Sequence, residues 1–246
     1  TMGICDNCGD CIATCPQQAL SLQNGVINWN ADSCEQCDTC IQQCPRQSSP
    51  MTLTYTVDEL IAITRKYAAF INGVTVSGGE STLQLPFLID YFKAIKEAPD
   101  LRHLTCLIDS NGTLSLNGWQ KIAPFMDGAM IDLKSWSEET HIYLTGRSNQ
   151  RIKKSIKWLS EHNLLTEIRL LYIPEKTDYL ENIEPLSHFI NSLGESITIR
   201  INAFHQHGVY GEAKNWRSAN KEQIINLQNE LILRKVNLIK TPNIYT

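Results

Sequence analysis

The sequence predicts an α/β protein in which a parallel sheet, open or closed into a barrel, follows a small cysteine-rich module. Eight of the nine cysteines lie within the first 44 residues, in two runs of the same spacing. Beyond residue 50, short apolar runs typical of buried strands alternate with segments whose apolar residues recur at helical period. We therefore divide the 246 residues into two domains, residues 1–50 and residues 51–246.

The two cysteine runs, CDNCGDCIATCP from Cys5 and CEQCDTCIQQCP from Cys34, share the spacing Cys-x2-Cys-x2-Cys-x3-Cys-Pro. Disulfides suit small secreted chains, whereas the long remainder of this chain contains one further cysteine, Cys106. Structural zinc sites usually use two separated cysteine pairs. The observed spacing is typical of bacterial two-cluster ferredoxins, so iron–sulfur ligation is favoured, with disulfides and zinc as the alternatives.

In two-cluster ferredoxins, the fourth cysteine of each run binds the cluster of the other run. This rule predicts two sets of four ligands, Cys5, Cys8, Cys11 and Cys44 for one cluster and Cys34, Cys37, Cys40 and Cys15 for the other. Between the runs, the alternating Leu20 and Leu22 and the turn sequence Asn24-Gly25 predict a short hairpin. We expect residues 1–50 to form a ferredoxin-like module that transfers single electrons.

After residue 50, short apolar runs mark the predicted strands, and apolar residues that recur at helical period mark the predicted helices. A helix is predicted from Thr56, which stands in capping-box spacing with Glu59, and the strand INGVTVSGG follows it. Further strands are predicted at residues 104–108, 129–133, 166–173 and 197–204. Further helices are predicted at residues 85–96, 115–125, 149–162, 178–193 and 219–235. Pro185 interrupts the helix at 178–193 and is expected to kink or split it.

Polar residues and glycines follow the predicted strands at their carboxyl ends, where parallel α/β sheets carry their sites. The candidate residues are Gly78, Gly79, Glu80, Asp109, Asp132, Lys134, Arg169 and His205. Together they would place carboxylate, ammonium, guanidinium and imidazole groups around one rim, which suits a ligand that carries both an ammonium and a carboxylate. Each also has an ordinary structural explanation. The glycines can form a tight turn, and Arg169 can pair with Glu167 on the same strand face.

The balance of charge and the hydropathy pattern exclude two classes of partner. The 22 basic and 26 acidic residues argue against a general nucleic-acid binder, which would need a basic face. No apolar run approaches the roughly 18 residues of a membrane span. No charged and then apolar leader segment is present, so we expect a cytoplasmic protein.

The segments VTVSGGE, DSNG, MIDLK, RLLYIP and NAFHQHGVYGEAKNW, in this order behind the cysteine runs, resemble the radical S-adenosylmethionine (SAM) enzymes. More narrowly, they resemble the glycyl radical enzyme activating family that carries a two-cluster insert, and within it the YjjW-type activases. The resemblance runs from Thr1 to Thr246. It implies a partial (β/α)6 radical SAM barrel that lacks its first strand.

The resemblance also implies a reaction. In that family, a [4Fe-4S] cluster binds the amino and carboxylate groups of SAM, and one electron breaks the sulfur–C5′ bond. The resulting 5′-deoxyadenosyl radical takes a hydrogen atom from a glycine of a partner enzyme. The protein positions the cofactors and tunes their electrostatics.

Matching positions imply a role for each candidate residue. Gly78, Gly79 and Glu80 would hold the methionyl amino group, and Asp132 and Lys134 would lie beside the SAM carboxylate and ribose. Arg169 would bind the carboxylate or adjacent polar groups, and His205 would line the pocket. Asp109 and Asp132, with the backbone oxygens of Ser110 and Met130, match a monovalent cation site in relatives.

The sequence departs from the family at one point, because the Cys-x3-Cys-x2-Cys motif of the catalytic cluster is absent. We therefore expect an N-terminally truncated activase that is inactive as given, whose full-length parent carries a third [4Fe-4S] cluster. The implied partners are a glycyl radical enzyme and an external electron donor such as flavodoxin or ferredoxin, and we expect a monomer. The alternative function is an electron-transfer ferredoxin fused to a non-catalytic barrel remnant, which SAM binding would distinguish.

Overall fold

The structure, a computed structural model, describes residues 5–46, 48–206, 209 and 211–242. The chain divides into two compact units, Thr1–Asp58 and Glu59–Thr246. Within the described residues, no helix is both long enough and apolar enough to cross a membrane.

The described residues of the first unit form one hairpin and two short helices. Its elements are α1 (Asp10–Ala13), β1 (Leu20–Gln23), β2 (Val26–Trp29) and α2 (Thr39–Gln43). Strands β1 and β2 are antiparallel, with Leu20 opposite Trp29 and Gln23 opposite Val26. Asn24 and Gly25 connect them with φ angles of 51° and 75°, the positive values that a two-residue hairpin turn requires. The predicted hairpin is therefore confirmed.

The buried core of the first unit is small. Leu20, Ile27 and Cys40 are its buried members, and Trp29 is among the partly buried side chains that pack against them. A core of this size buries little apolar surface, and units of this length usually need metal ions or disulfides for stability.

The second unit alternates helices and strands along the chain. In order, its elements are α3 (Val57–Tyr67), β3 (Gly73–Val76), α4 (Leu85–Glu97), β4 (Thr105–Ser110), α5 (Leu116–Ile122), β5 (Gly128–Leu133), α6 (Glu138–Thr145), α7 (Gln150–Glu161), β6 (Leu165–Tyr172), α8 (Ile183–Asn191), β7 (Thr198–Ala203), α9 (Lys221–Leu233) and β8 (Ile239–Lys240).

Strands β3 to β8 form one parallel sheet in which chain neighbours are also spatial neighbours. The predicted α/β class with a parallel sheet is thus confirmed. All six strands run in the same direction, so their carboxyl ends share one edge of the sheet. Strand β3 lies at the end of the sheet and pairs only with β4 among the described strands.

The central strands supply most of the core of the second unit. Ile131 and Ile168 are paired neighbours on β5 and β6 and are fully buried, and Ile108 is fully buried on β4 beside Ala129. Helices α4 and α5 add the fully buried rings of Phe92 and Trp119. The apolar helical periods in the sequence therefore mark the faces that pack on the sheet.

The structure corrects the prediction at three elements. The helix predicted from residue 178 begins at Ile183, so Pro185 lies in the first turn of α8, where a missing N–H costs no helical hydrogen bond. Helix α6 and strand β8 were not predicted. Helix α6 is defined by its ends, since Ser137 Oγ accepts a hydrogen bond from Thr140 N and Gly146 ends it at φ 70°. Strand β8 is only two residues long.

Candidate functional site

A cleft of about 240 Å³ lies at the carboxyl edge of the parallel sheet. It brings together every candidate cofactor residue of the sequence analysis except His205. The lining residues are Ser77, Gly78, Gly79, Glu80, Asp109, Ser110, Asn111, Asp132, Lys134 and Arg169. Residues at the ends of β3, β4 and β5 therefore converge with Arg169, which lies within β6.

The loop after β3 exposes its backbone to the cleft. Gly78 has φ 147°, a conformation that residues other than glycine rarely adopt. A Cβ atom added at Gly78 or Gly79 would meet no atom within 4 Å. The chain therefore leaves open space beside two peptide units, into which a ligand can approach the backbone closely.

Glu80 ties the β3 loop to the end of β4. Its Oε1 accepts hydrogen bonds from Thr82 N at 3.2 Å, Thr82 Oγ1 at 2.5 Å and Ser110 Oγ at 2.8 Å. Its Oε2 accepts one from Asn111 N at 2.8 Å. Both carboxylate oxygens are thus engaged by the chain itself, which gives Glu80 a positioning role at the rim of the cleft.

Arg169 bridges the cleft and a buried carboxylate. Its Nη1 donates to Asp109 Oδ2 at 2.7 Å, and its Nε donates to Glu167 Oε1 at 2.8 Å. Glu167 is only 6% exposed and also accepts a hydrogen bond from Arg200 Nε at 2.9 Å. The pairing of Arg169 with Glu167 expected from strand alternation is confirmed, and the same guanidinium also lines the cleft.

Burial and hydrogen bonding shift the pKa values of Glu167 and Arg169 in opposite directions. Burial alone would raise the pKa of Glu167, but the hydrogen bonds from Arg200 and Arg169 outweigh it, so the pKa lies below its ordinary value. Burial alone would lower the pKa of Arg169, but hydrogen bonds to Glu167 and Asp109 raise it. Both groups are therefore charged at neutral pH.

The remaining charges of the cleft also occur in opposite pairs. Lys134 Nζ lies 3.1 Å from Asp132 Oδ2, and Ser77 Oγ donates to Asp109 Oδ2 at 3.1 Å. Asp109 and Asp132, the two carboxylates of the predicted cation site, thus each contact a cationic side chain, Arg169 and Lys134 respectively. A rim that presents both signs of charge fits a zwitterionic ligand.

The lining of the cleft differs from the predicted set of residues at three positions. His205 follows β7 but is not among the residues that line the cleft, so its predicted role stays a prediction. Ser77 and Asn111 do line the cleft, although neither was singled out as a ligand contact. Their signal in the sequence is their place in VSGG and DSNG, the segments at two strand ends.

The eight cysteines of the first unit surround two separate cavities. One is lined by Cys5, Cys8, Cys11 and Cys44, and the other by Cys15, Cys34, Cys37 and Cys40. Each cavity thus receives three thiols from one run and the fourth from the other run, the grouping expected for crossed ligation. Among the described residues, no three His, Cys, Asp or Glu side chains converge as around a single metal ion.

The two halves of the module repeat their local geometry. Asn7 and Gln36, each two residues after the first cysteine of a run, have φ angles of 59° and 56° and donate N–H groups to the sulfurs of Cys5 and Cys34 at 3.4 Å. Ala19 N and Ser48 N likewise approach the sulfurs of the fourth cysteines at 3.3 and 3.4 Å. Each set of four thiols thus has backbone N–H groups directed at two of its sulfurs, which fits a [4Fe-4S] cluster.

The ninth cysteine has a different environment. Cys106 lies fully buried in β4, and burial raises the pKa of its thiol to about 11. A thiol of this kind stays protonated and acts as a small apolar side chain.

Comparison with known sequences agrees with both units. The profile of the Radical SAM superfamily matches residues 34–189, and that of the 4Fe-4S dicluster domain matches residues 2–45. The pyruvate formate-lyase-activating enzymes of Staphylococcus epidermidis and Staphylococcus aureus are 34% and 32% identical to the chain over 168 residues. These alignments cover 66% of this chain and 66% of each relative.

Comparison with solved structures supports the fold. A domain of a pyruvate-formate lyase-activating enzyme from Bacteroides vulgatus superposes with a TM-score of 0.59 at 21% identity, over 70% of this chain and 99% of that chain. SuiB from Streptococcus suis, solved with S-adenosylmethionine, superposes with a TM-score of 0.61 at 18% identity, over 79% of this chain and 45% of that chain.

The superfamily profile matches more than half of the chain, and the staphylococcal relatives share about a third of the aligned residues. The chain therefore belongs to the radical SAM superfamily, in its family of glycyl radical enzyme activating enzymes.

Proposed function

We propose that this chain serves the SAM-dependent installation of a glycyl radical on a partner enzyme, with the first unit as an electron relay. The observation that carries the proposal is the cleft, where open backbone at Gly78 and Gly79 lies beside paired charges of both signs. A methionyl group offers an ammonium and a carboxylate at a fixed separation. The cleft offers a complementary partner for each.

The residues of the cleft would divide the work of binding SAM. The peptide groups of Gly78 and Gly79 would accept the methionyl ammonium, because Glu80 is engaged in holding the rim together. Lys134 and Asp132 would contact the carboxylate and ribose. Arg169 retains N–H groups beyond those that donate to Asp109, Glu167 and Met130 Sδ, and these would orient the carboxylate. His205 and a monovalent cation at Asp109 and Asp132 complete the proposed site.

When bound, the catalytic cluster of this family supplies the electron that breaks the sulfur–C5′ bond of SAM. The 246 residues contain no Cys-x3-Cys-x2-Cys segment, and Cys106 is buried and alone. We therefore assign no ligand of that cluster and derive no step through it. The two four-cysteine sets of the first unit would hold the relay clusters that receive an electron from flavodoxin or ferredoxin.

Isothermal titration with SAM tests the cleft. We expect weak binding by the unmodified chain, loss of binding in Gly79→Val, and a weakening of about 1.5–3 kcal/mol in Lys134→Ala and Arg169→Ala, which remove charge-assisted hydrogen bonds. Lys121→Ala, at an exposed lysine outside the cleft, is the matched control and should bind as the unmodified chain does. Equal affinity in all four variants would return the cleft residues to an ordinary structural role.

The second candidate function is electron transfer alone, with the sheet as a non-catalytic partner of the ferredoxin-like unit. It is favoured by the two complete four-thiol sets and by the lack of a third cysteine motif in this sequence. This candidate predicts no SAM binding at all. With dithionite and SAM, we expect the 246-residue chain to form no 5′-deoxyadenosine above background. Robust cleavage would require cluster ligands outside those assigned.

A further inference from the structure

A groove of about 800 Å³ lies beside the SAM cleft and shares only Asn111 with the lining of that cleft. Its lining includes three cationic side chains, Arg147, Arg151 and Lys154, and the apolar side chain of Leu83. All three cations are exposed, and Leu83 is 83% exposed. The groove therefore combines basic side chains with one apolar side chain at the surface.

The cations of the groove are not neutralised by the chain. Across the residues that the structure describes, no ion pair involves Arg147, Arg151 or Lys154, and none of the groove-lining residues is acidic. The nearby Glu138 is bound by Ser148 and Gln150. By contrast, the cations of the SAM cleft pair with Asp109 and Asp132. Three exposed cations around one groove, with no acidic residue in its lining, are complementary in charge to an acidic partner.

The backbone around Arg147 is held by hydrogen bonds. The carbonyl oxygen of Arg147 accepts a hydrogen bond from Nδ1 of the buried His141 at 2.7 Å, and Arg147 N donates to Thr145 Oγ1 at 3.2 Å. Asn149 is fully buried and donates Nδ2 to Trp136 O at 2.8 Å. Because these hydrogen bonds hold the backbone beside the groove, little backbone entropy is lost when a partner binds.

The groove is continuous with the SAM cleft. Asn111 lines both, and its backbone N–H is bound by Glu80 at the rim of the cleft. Leu83 follows Glu80 by three residues in the short 3-10 turn Ser81–Gln84. A chain segment lying in the groove would therefore extend toward the atoms proposed to react.

We infer that the groove binds an acidic, extended segment of the protein whose glycine enters the cleft, which rests on the function proposed above. Carboxylates of that segment would contact Arg147, Arg151 and Lys154, and an apolar side chain would cover Leu83. Single-stranded nucleic acid is the less suitable occupant. Among the described residues, no aromatic side chain lines the groove, and bases bind chiefly by stacking on such rings.

Fluorescence anisotropy with a short labelled peptide tests this inference on the full chain. The probe contains glutamates around one leucine and one glycine, and the matched peptide replaces each glutamate with glutamine. We expect the glutamate peptide to bind more tightly, and added salt to weaken it. The variant Arg147→Glu/Arg151→Glu should raise its Kd about tenfold or more. Arg151→Lys, which keeps the charge, and Lys221→Glu, at an exposed lysine outside the groove, should bind as the unmodified chain.

Two outcomes would overturn the inference. One is equal binding of the glutamate and glutamine peptides, and the other is tighter binding of single-stranded oligothymidine than of the acidic peptide. Leu83→Ser tests the apolar contribution of the Leu83 side chain. This variant should weaken binding of the glutamate peptide without changing SAM binding. Titration with SAM in the same variants keeps the two proposals distinct. Lost peptide binding with intact SAM binding locates the effect in the groove, whereas absent SAM binding in the unmodified chain counts against the proposed function alone.

Discussion

Gly112 is restricted both by its backbone and by its neighbours. Its φ angle is 75°, and an added Cβ would lie 2.8 Å from Ile131 Cγ2 and 3.0 Å from Ile152 Cγ2. Left-handed backbone costs about 1–2 kcal/mol for a residue other than glycine, and overpacking adds about 1–3 kcal/mol. We expect Gly112→Ala to lower the free energy of unfolding by about 2–5 kcal/mol in urea denaturation.

Gly146→Ala measures the cost of left-handed backbone without the cost of overpacking. Gly146 has a similar φ of 70° at the end of α6, but an added Cβ would meet no atom within 4 Å. Its substitution should therefore cost only the backbone share, about 1–2 kcal/mol. An equal loss in the two variants would show that packing against Ile131 and Ile152 contributes nothing.

Glu167 makes stability depend on pH in a defined direction. Its folded pKa lies below the ordinary value of 4.5, because hydrogen bonds from Arg200 and Arg169 outweigh burial. A carboxylate of this kind stabilises the fold above its unfolded pKa, and the contribution is lost as the pH falls from about 4.5 through the folded pKa. At pH 7, Glu167→Gln should lower the free energy of unfolding by about 1.5–3 kcal/mol. Denaturation at several pH values should show this difference shrinking below pH 4.5.

The matched control is Glu161→Gln. Glu161 is exposed and lies 4.0 Å from Lys157 one turn earlier in α7, a pair that contributes at most about 0.5 kcal/mol. Its substitution should change little at any pH. A loss in Glu167→Gln that is the same at every pH would mean that ionisation of Glu167 is not its cause, and it would contradict this prediction.

At the scale of elements, the pairing of the two cysteine runs can be tested by combining substitutions. Cys15 belongs to the first run in sequence but lies with Cys34 in the cavity of the second. If these two bind one cluster, Cys15→Ser/Cys34→Ser should lose no more iron than either single variant and keep about four irons. Cys15→Ser/Cys5→Ser should lose both clusters. Iron analysis after anaerobic reconstitution measures the difference, and the reverse pattern would contradict crossed ligation.

The elements that the sequence predicted well are those whose signal is local. The hairpin followed from Asn24-Gly25, and the central strands followed from short apolar runs. Strand β8 has too few residues for any period, and the start of α8 depends on Asp178. Its carboxylate binds Trp136 N and Ser137 N, far away in sequence, instead of beginning a helix.

The candidate site, like the elements, could be predicted only where the signal in the sequence is local. Strand-end positions were enough to predict that Gly79, Asp132 and Arg169 line one cleft. They were not enough to assign Glu80, because its engagement with Ser110 and Asn111 depends on how two loops meet in three dimensions. The topology of the sheet predicts which residues come together at its edge. It does not predict which hydrogen bonds those residues form with one another.

At the scale of the whole molecule, metal content is the direct measure of the first unit. Two cubane clusters should give about eight irons and eight sulfides per chain after anaerobic reconstitution. Colorimetric iron and sulfide assays, with elemental analysis for zinc as the control, make this measurement. A yield of about four irons, or zinc without sulfide, would contradict two [4Fe-4S] clusters.

The burial of Cys106 affects where oxygen can damage the molecule. The thiols of residues 5–44 lie in a unit with a small core, whereas the ninth thiol stays protonated inside β4. Oxidants attack accessible thiolates and exposed clusters first. Oxygen damage should therefore be confined to one end of the chain. An aerated sample would lose the proposed electron relay, while its parallel sheet and the cleft at the edge of that sheet would remain intact.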